Sequence, residues 1–224
     1  MASPSKVWTI VVGGGSGTRF GRPKQYERLG DERIIDRSRR IAASVTDGVV
    51  LVVPADDATA EGGVAGGSSR SESVRAGLAE VPPDTDIVCV HDAARPFADA
   101  DLYRRVVAAV EAGADASVPG IAVTDTIKVV DGDGVVTATP ERSTLVAVQT
   151  PQAFRHGALV AAHASGADAT DDAALIEATG GRVVVVEGAA DNRKITVPDD
   201  LDWARQRIVE LDRLHDDTCQ EEPS

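Results

Sequence analysis

Near its start, the chain runs from a short apolar segment directly into a glycine loop. Residues 7–12 read Val-Trp-Thr-Ile-Val-Val, and residues 13–19 read Gly-Gly-Gly-Ser-Gly-Thr-Arg. A short β-branched run predicts a buried strand, and the glycines permit a tight turn and a close approach of the backbone to a ligand. Successive N–H groups in such a loop can form a cradle for an anion. The junction therefore favours folds in which a buried strand ends at a ligand-binding loop.

The rest of the chain alternates between apolar runs and segments with helical spacing. Further strands are predicted at 49–53, 87–90, 116–119 and 182–187, and helices at 34–44, 71–78, 102–112, 171–179 and 201–211. This alternation predicts an α/β fold with a mostly parallel sheet and helices on both of its faces. Residues 55–69 are rich in Ala, Gly, Ser and Asp and are predicted to be a loop.

The pattern changes between residues 123 and 148. Two short extended segments, Thr126–Val130 and Val135–Thr137, flank the sequence Asp-Gly-Asp-Gly at 131–134. Extended segments separated by turn-forming residues predict a β-hairpin. We interpret this region as an arm that projects from the α/β body.

The length of the chain favours one large domain. It has 224 residues, of which 42% are hydrophobic, enough to bury a sizeable core. We predict a single domain over residues 1–214. Residues 215–224 are polar and are predicted to be disordered.

Charge and composition exclude several classes of protein. The formal net charge of −13 is unsuited to a general nucleic-acid binder, so an anionic substrate would require cations concentrated at one place. No apolar run approaches the roughly 20 residues of a membrane span, and we expect a cytoplasmic protein. Cys89 and Cys219 lack metal-ligand spacing, and the chain has neither a Gly-x-Ser-x-Gly elbow nor a zinc-binding histidine pattern.

Cations follow the glycine loop within a few residues. Arg19 ends the loop, and Lys24 lies in the segment Pro-Lys-Gln at 23–25. Together they would supply the positive charge that a triphosphate requires. The spacing matches neither a P-loop nor the dinucleotide fingerprint. Taken alone, the glycines are also compatible with a tight strand-to-helix turn.

Three more polar segments follow predicted strands or precede a helix. His91–Pro96 offers a carboxylate and an arginine that can clamp a phosphate, or a simple capped turn. Gly66–Ser73 could read the edge of a base, or serve as a linker before a Ser-capped helix. Asp191–Thr196 contains Lys194, which in isolation would be an ordinary surface charge. Because ligands bind at the carboxyl ends of parallel strands, the coincidence there of the glycine loop, Gly66-Gly67 and His91-Asp92 indicates a shared site.

Taken together and in order, these segments resemble the 2-C-methyl-D-erythritol 4-phosphate cytidylyltransferase family of the non-mevalonate isoprenoid pathway. The resemblance extends from about residue 7 to residue 205. Its most specific pieces are Pro23-Lys24-Gln25-Tyr26, His91-Asp92-Ala93-Ala94-Arg95-Pro96, Thr150-Pro151-Gln152 and Ala190-Asp191-Asn192-x-Lys194. The resemblance implies a Rossmann-like nucleotidyltransferase fold and a homodimer whose β-arms exchange contacts.

The resemblance also implies roles for individual residues. Those implied to bind CTP are Gly13, Gly14, Gly15, Gly17, Gly67, Ser68, Ser73, Asp92 and Ala93. Those implied to line the site for methylerythritol phosphate are Asp92, Arg95, Thr126, Arg142, Thr170 and Lys194, with Thr126 and Arg142 reaching it from the partner's arm. Catalytic roles fall to Arg19 and Lys24, which would stabilise the transition state, and to Arg142 and Lys194, which would position the attacking phosphate.

The implied reaction needs no protein nucleophile. A phosphate oxygen of the acceptor attacks the α-phosphorus of CTP in line, and pyrophosphate leaves. Mg²⁺ is expected to bind mainly through the CTP phosphates, with no dedicated protein ligands. Cations on the protein would neutralise the charge as the two anions approach.

The chain departs from the family at the glycine loop. Where the family commonly has Pro-Ala-Ala-Gly, this chain has Gly13-Gly14-Gly15 after Val12. Glycine keeps the backbone donors but loosens the loop, so base contacts made by the backbone are expected to survive.

Three other functions are considered beside this one. A CDP-ribitol-forming cytidylyltransferase would share the fold, loop and chemistry, and the acceptor pocket would distinguish it. The segments around Asp92 and Lys194 argue against a nucleotidyltransferase for another sugar phosphate or for a molybdenum cofactor. A non-catalytic regulator would bind CTP without releasing pyrophosphate.

Overall fold

The computed structural model of the protein describes residues 4–15 and 20–220, with side chains as far as residue 213. The strands are β1 Val7–Val12, β2 Arg28–Leu29, β3 Glu32–Arg33, β4 Gly48–Val53, β5 Val64–Ala65, β6 Ile87–Asp92, β7 Ala116–Ala122, β8 Val129–Val130, β9 Val136–Ala138, β10 Val146–Val148, β11 Gln152–Arg155 and β12 Val183–Glu187. The α-helices are α1 Ile34–Ala43, α2 Ala58–Glu61, α3 Arg70–Leu78, α4 Ala100–Glu111, α5 His156–His163, α6 Asp172–Ala178 and α7 Pro198–Gln220.

The main sheet is mixed and mostly parallel. Its strand order is β10-β7-β11-β6-β1-β4-β5, and β12 pairs with β7. Strand β1 lies between β4 and β6 and is parallel to both, whereas β10 and β11 run antiparallel to their neighbours. The prediction of an α/β, Rossmann-like fold is therefore confirmed. The central position of β1 places Gly13–Gly15, which follow it, at the carboxyl ends of the central parallel strands.

Helices cover both faces of this sheet. Adjacent residues of a strand point to opposite faces, and Val11 accordingly packs in a cluster with Ile35 of α1 and Leu102 of α4. Its neighbour Ile10 belongs to the other cluster, which includes residues of α3, α5 and α6. Full burial of each aliphatic side chain contributes roughly 1.5–3 kcal/mol. These two clusters hold the strand ends in fixed positions.

A third cluster fixes the segment that carries Lys194. Ile195, which is fully buried, packs with Leu29, Phe97 and residues of α7. The backbone N–H of Ile195 also donates to the carbonyl of Ala94 over 2.8 Å. The chain after β12 is thereby held against the end of β6.

The prediction for residues 55–69 was wrong. Residues 55–69 were expected to be a loop, but they contain a 3-10 helix at Ala55–Asp57, the helix α2 and the short strand β5. The composition indicates a loop, whereas pairing of β5 with β4 supplies the long-range hydrogen bonds that order it. The sequence prediction also omitted β11 and α5.

The closing helix is longer than predicted. Helix α7 continues through residues 215–220, which were expected to be disordered. No Pro or Gly occurs between residues 199 and 222, so once the helix is nucleated nothing in the sequence stops its propagation. Residues 221–224 lie outside the described part of the chain.

The predicted hairpin is present. Strands β8 and β9 pair antiparallel, and Gly134 takes a φ of +80° in the turn between them. Their valines are exposed: Val130 by 54% and Val136 by 53%. In a single protomer this arm therefore presents an apolar surface to solvent. Within residues 4–15 and 20–220, no helix is both long enough and apolar enough to cross a membrane.

Candidate active site

A cavity of about 520 Å³ opens at the carboxyl ends of β1 and β6. The described residues that line it are Val12, Gly13, Gly14, Gly15, Phe20, Lys24, Gln25, Gly67, Ser68, Ser69, Arg70, Ser73, Asp92, Ala93, Ala94 and Lys194. A volume of this size is typical of small-molecule sites. Among these residues three side chains are cationic and one is a carboxylate, so the cavity is locally basic in a strongly acidic chain.

The first wall of the cavity joins the glycine loop to the start of α3. The N–H of Gly13 donates to the carbonyl of Val52 over 2.7 Å, which extends the pairing of β1 with β4. The N–H of Gly67 donates to Oγ of Ser73 over 3.2 Å, and that hydroxyl donates to the carbonyl of Ser69 over 3.0 Å. Residues from three separate segments thus meet where a ligand could contact backbone groups.

A capping box sets the shape of the loop before α3. Ser69 caps the helix because its Oγ accepts from the N–H of Glu72 over 3.1 Å. In return Oε2 of Glu72 accepts from the N–H groups of Ser68 and Ser69, over 2.6 and 3.3 Å. Both donors at the helix start are satisfied in this way. The predicted Ser-capped helix is confirmed, with its cap two residues earlier than the predicted start at Ser71.

The opposite wall holds a carboxylate between two cations. Oδ2 of Asp92 lies 2.6 Å from Nζ of Lys194, and its Oδ1 lies 3.6 Å from Nε of Arg70. Burial alone would raise the pKa of Asp92, but the charges of Lys194 and Arg70 outweigh burial and hold its pKa well below the ordinary value. The group is therefore a carboxylate across the physiological pH range.

His91 is linked to the backbone of Asp92 through the hydroxyl of Thr150. Burial lowers the pKa of His91 to about 4, so its imidazole is neutral at physiological pH. Its Nε2 lies 3.2 Å from the carbonyl of Arg95, and its Nδ1 lies 3.1 Å from Oγ1 of Thr150. A carbonyl can only accept, so we assign the proton to Nε2. Nδ1 then accepts from Thr150, whose Oγ1 accepts from the N–H of Asp92 over 3.0 Å.

The cavity brings together ten of the residues that were predicted to form the site. These are Gly13, Gly14, Gly15, Lys24, Gly67, Ser68, Ser73, Asp92, Ala93 and Lys194. Gly17 and Arg19 lie outside the described residues.

Four predicted residues do not line the cavity in this protomer. Arg95 donates instead to the carbonyl of Asn192 over 2.9 Å, and burial lowers its pKa. Thr170 is exposed next to the start of α6. Thr126 and Arg142 lie on the arm, where Arg142 donates to the carbonyl of Thr124 over 2.8 Å.

Arg70, for which no role was predicted from the sequence, also lines the cavity. Its guanidinium lies 2.6 Å from Oδ2 of Asp172, a carboxylate with no exposed surface. A signal for it existed in the sequence. Arg70 lies in the Gly66–Ser73 segment before the predicted helix start at Ser71, and a cation beside the start of a helix is disfavoured by the helix dipole unless carboxylates lie near it.

Comparison with known proteins agrees with this geometry. Residues 7–210 match the family model described as 2-C-methyl-D-erythritol 4-phosphate cytidylyltransferase (IspD). The chain belongs to this family. A Streptomyces avermitilis protein named 2-C-methyl-D-erythritol 4-phosphate cytidylyltransferase is 41% identical over 242 residues, with 96% of each chain covered.

A solved structure of the Thermus thermophilus enzyme of that name superposes on the chain with a TM-score of 0.78 and 30% identity, covering 91% of this chain and 98% of that one. A protein of Oleidesulfovibrio alaskensis named bifunctional enzyme IspD/IspF is 52% identical over 143 residues, or 62% of this chain. The match spans only 36% of that longer relative.

Proposed function

We propose that this family member transfers CMP from CTP to 2-C-methyl-D-erythritol 4-phosphate and releases pyrophosphate. The observation that carries the proposal is the convergence on one cavity of Gly13–Gly15, Lys24, and the pair Asp92–Lys194. Each group belongs to a different segment of the chain. The proposal covers this activity alone and not the second activity in the names of the bifunctional relatives.

The nucleotide would bind in the cavity against the wall that Gly13–Gly15 and the start of α3 form together. Gly67 and Ser73 lie beside Gly14 there, and an added Cβ at Gly14 would lie 3.5 Å from Oγ of Ser73 among the described neighbours. These residues therefore form one continuous stretch of the cavity wall, made of backbone groups and one hydroxyl. Such groups can recognise the edge of a base without adding charge.

The cations near the cavity would bind the reacting phosphates and stabilise their charge. Lys24 lines the cavity together with Gly13–Gly15, and Arg19 ends the glycine loop in the sequence. Positioned cations near the α-phosphate and the leaving pyrophosphate stabilise charge that develops in the transition state. Lys194 would hold the acceptor's phosphate, and fixing the two reactants together removes part of the entropic barrier.

The described residues do not form a metal site of their own. Within residues 4–15 and 20–220, no group of three His, Cys, Asp or Glu side chains could hold a metal ion. Asp92, the carboxylate in the cavity wall, already faces Lys194 and Arg70. Mg²⁺ would bind mainly through the triphosphate, where it would neutralise phosphate charge.

We further propose a homodimer in which each arm completes the partner's site, in a cytoplasmic enzyme. Arg142 and Thr126 lie on the arm and do not line the cavity of their own protomer. The exposed valines of β8 and β9 offer an apolar surface for a second copy. Isolated two-stranded hairpins are marginally stable, so contact with a partner would also order the arm.

A pyrophosphate-release assay tests the proposed function. Purified protein would be given CTP and Mg²⁺ with methylerythritol phosphate or with ribitol phosphate. We expect release with the first acceptor and little with the second. Preference for ribitol phosphate would indicate the CDP-ribitol-forming activity, and CTP binding without release from any acceptor would indicate a regulator.

A further inference from the structure

Arg70 occupies an electrostatically unfavourable position at the start of α3, and nearby carboxylates offset the cost. It is the first residue of α3, where the positive end of the helix dipole repels a cation. Its guanidinium nonetheless faces two carboxylates, Asp172 at 2.6 Å and Asp92 at 3.6 Å. Burial by itself would lower the pKa of Arg70, but these carboxylates raise it above the ordinary value. The side chain is 23% exposed, so it is held largely within the wall of the cavity.

A buried brace holds Arg70 from the side away from the cavity. Asp172 begins α6 and has no exposed surface, and its second oxygen lies 3.0 Å from Nε2 of His163 on α5. A buried carboxylate is costly unless its oxygens are paired. Here Arg70 takes one oxygen and His163 takes the other. The brace therefore ties the orientation of the guanidinium to two helices that do not line the cavity.

The two cations on Asp92 differ in how firmly they are held. Lys194 is 40% exposed and forms its ion pair with Asp92, whereas Arg70 is anchored on Asp172 as well. An incoming phosphate can draw the flexible ammonium of Lys194 away from Asp92. The phosphate displaces the guanidinium of Arg70 less easily, because Arg70 is also held by its ion pair with Asp172. When Lys194 turns to the phosphate, Arg70 remains as the cation beside Asp92.

We propose that Arg70 is a positioning residue that, braced by Asp172 and His163, holds Asp92 so that Lys194 can transfer its ammonium to the acceptor's phosphate. This inference rests on the proposed function. Without Arg70, Asp92 would be a partly buried carboxylate with Lys194 as its main close cation, and it would retain Lys194. Binding of the acceptor would then weaken, whereas the nucleotide wall at Gly14, Gly67 and Ser73 would be untouched.

The test compares Arg70→Gln and Asp172→Asn with wild type in the pyrophosphate-release assay. We expect KM for methylerythritol phosphate to rise about tenfold or more in both variants, and KM for CTP to change less than about twofold. Arg75→Gln is the matched control, because Arg75 lies on the same helix and donates to the carbonyl of Ala167. It should behave as wild type. An equal rise in both KM values, or no rise for the acceptor, would overturn the proposal.

A double-mutant cycle separates positioning from a general loss of structure. If Arg70 acts through Asp92, the Arg70→Gln substitution should raise the KM for the acceptor far less in the Asp92→Asn variant than in the wild-type protein. Additive effects would overturn the proposal. If Arg70→Gln does not fold, Arg70→Lys keeps the charge and should give a smaller rise in the acceptor's KM. A wild-type protein inactive with every acceptor would overturn the proposed function and this inference with it.

Discussion

The hydroxyl of Thr150 donates to Nδ1 of His91 over 3.1 Å and accepts from the backbone N–H of Asp92 over 3.0 Å. The relay requires an imidazole with an unprotonated Nδ1. A proton on Nδ1 would remove the acceptor for Thr150 and create a buried charge. Burial chiefly, with the charges of Arg95 and Lys194, lowers the pKa of His91 and opposes that charge. The end of β6 is therefore linked to the neutral state of one buried histidine.

Stability should fall as the pH falls because of His91. Its pKa is about 4 in the folded protein and 6.5 as the unperturbed value. Between these values the unfolded chain binds more protons, so the contribution is complete above pH 6.5 and is lost as the pH approaches 4. We expect the contribution of His91 to lower the free energy of unfolding by about 2 kcal/mol between about pH 7.5 and pH 5. Urea unfolding at both pH values measures this difference.

The His91→Asn variant lacks the titrating group but keeps a hydrogen-bond acceptor. Its free energy of unfolding should therefore change by about 2 kcal/mol less than that of the wild-type protein between these pH values. His156→Asn is the control, because it removes a histidine that is only half-buried. If His91→Asn and wild type lose the same free energy of unfolding over this pH range, His91 is not the group responsible.

Replacement of Lys24 by alanine should depress turnover. Lys24 lines the cavity beside the glycine loop, where we place the triphosphate. Removal of a preorganised electrostatic contact typically costs roughly 10²-fold or more in kcat. The pyrophosphate-release assay measures the loss, and Lys6→Ala serves as control because Lys6 pairs with Asp84 away from the cavity. Turnover near that of wild type in Lys24→Ala would contradict the role given to Lys24.

Mixing two inactive variants should restore activity if the arms are exchanged. Arg142 is on the arm and Lys24 is in the cavity, so a heterodimer of Lys24→Ala and Arg142→Ala protomers contains one intact composite site. About half the wild-type activity per heterodimer is expected, as one site in two is complete. Subunit exchange followed by the assay provides the measurement. Absence of recovery, with heterodimers verified by mass, would argue against a shared site.

Two glycines of the cavity should respond differently to alanine. At Gly14 an added Cβ would meet Oγ of Ser73 at an ordinary 3.5 Å among the described neighbours, and φ is not positive. Gly14→Ala should therefore stabilise the fold by about 0.4–1 kcal/mol and leave CTP binding intact. At Gly67 the added Cβ would lie 2.3 Å from Cβ of Glu72, so Gly67→Ala should destabilise the protein and weaken CTP binding. Thermal unfolding and calorimetric titration with CTP would check both, and equal effects would refute the distinction.

The order of the elements was largely predictable because apolar runs and helical spacing are local signals. Val7–Val12 was predicted with the observed bounds, and its burial on both faces agrees with a central parallel strand. Strand β11 was missed because Gln152–Arg155 carries polar residues at both ends, and it is pairing with β6 that makes it a strand. That pairing joins segments far apart along the chain, which a local pattern cannot reveal.

The site was predictable where its residues follow strands in recognisable motifs. Asp92 and Lys194 were chosen from separate motifs, and the structure places them 2.6 Å apart. Asp172 and His163 could not be found, because an Asp in the first turn of a helix normally caps or faces solvent. Its function as a buried partner for Arg70 depends on the packing of α6 against the sheet, a relationship with no local sequence signal.

The cavity joins Gly13, near the beginning of the chain, to Lys194, near its end. On the ribosome, β1 is made first, yet no complete wall for the ligand can exist until Lys194 and the start of α7 have emerged. The cluster containing Ile195, Leu201 and Ile208 must then close against Leu29 and Phe97. A nascent chain would thus gain affinity for its nucleotide only after Lys194 and this cluster have emerged, so nucleotide binding would report that the first strand has been joined to the segment at Lys194.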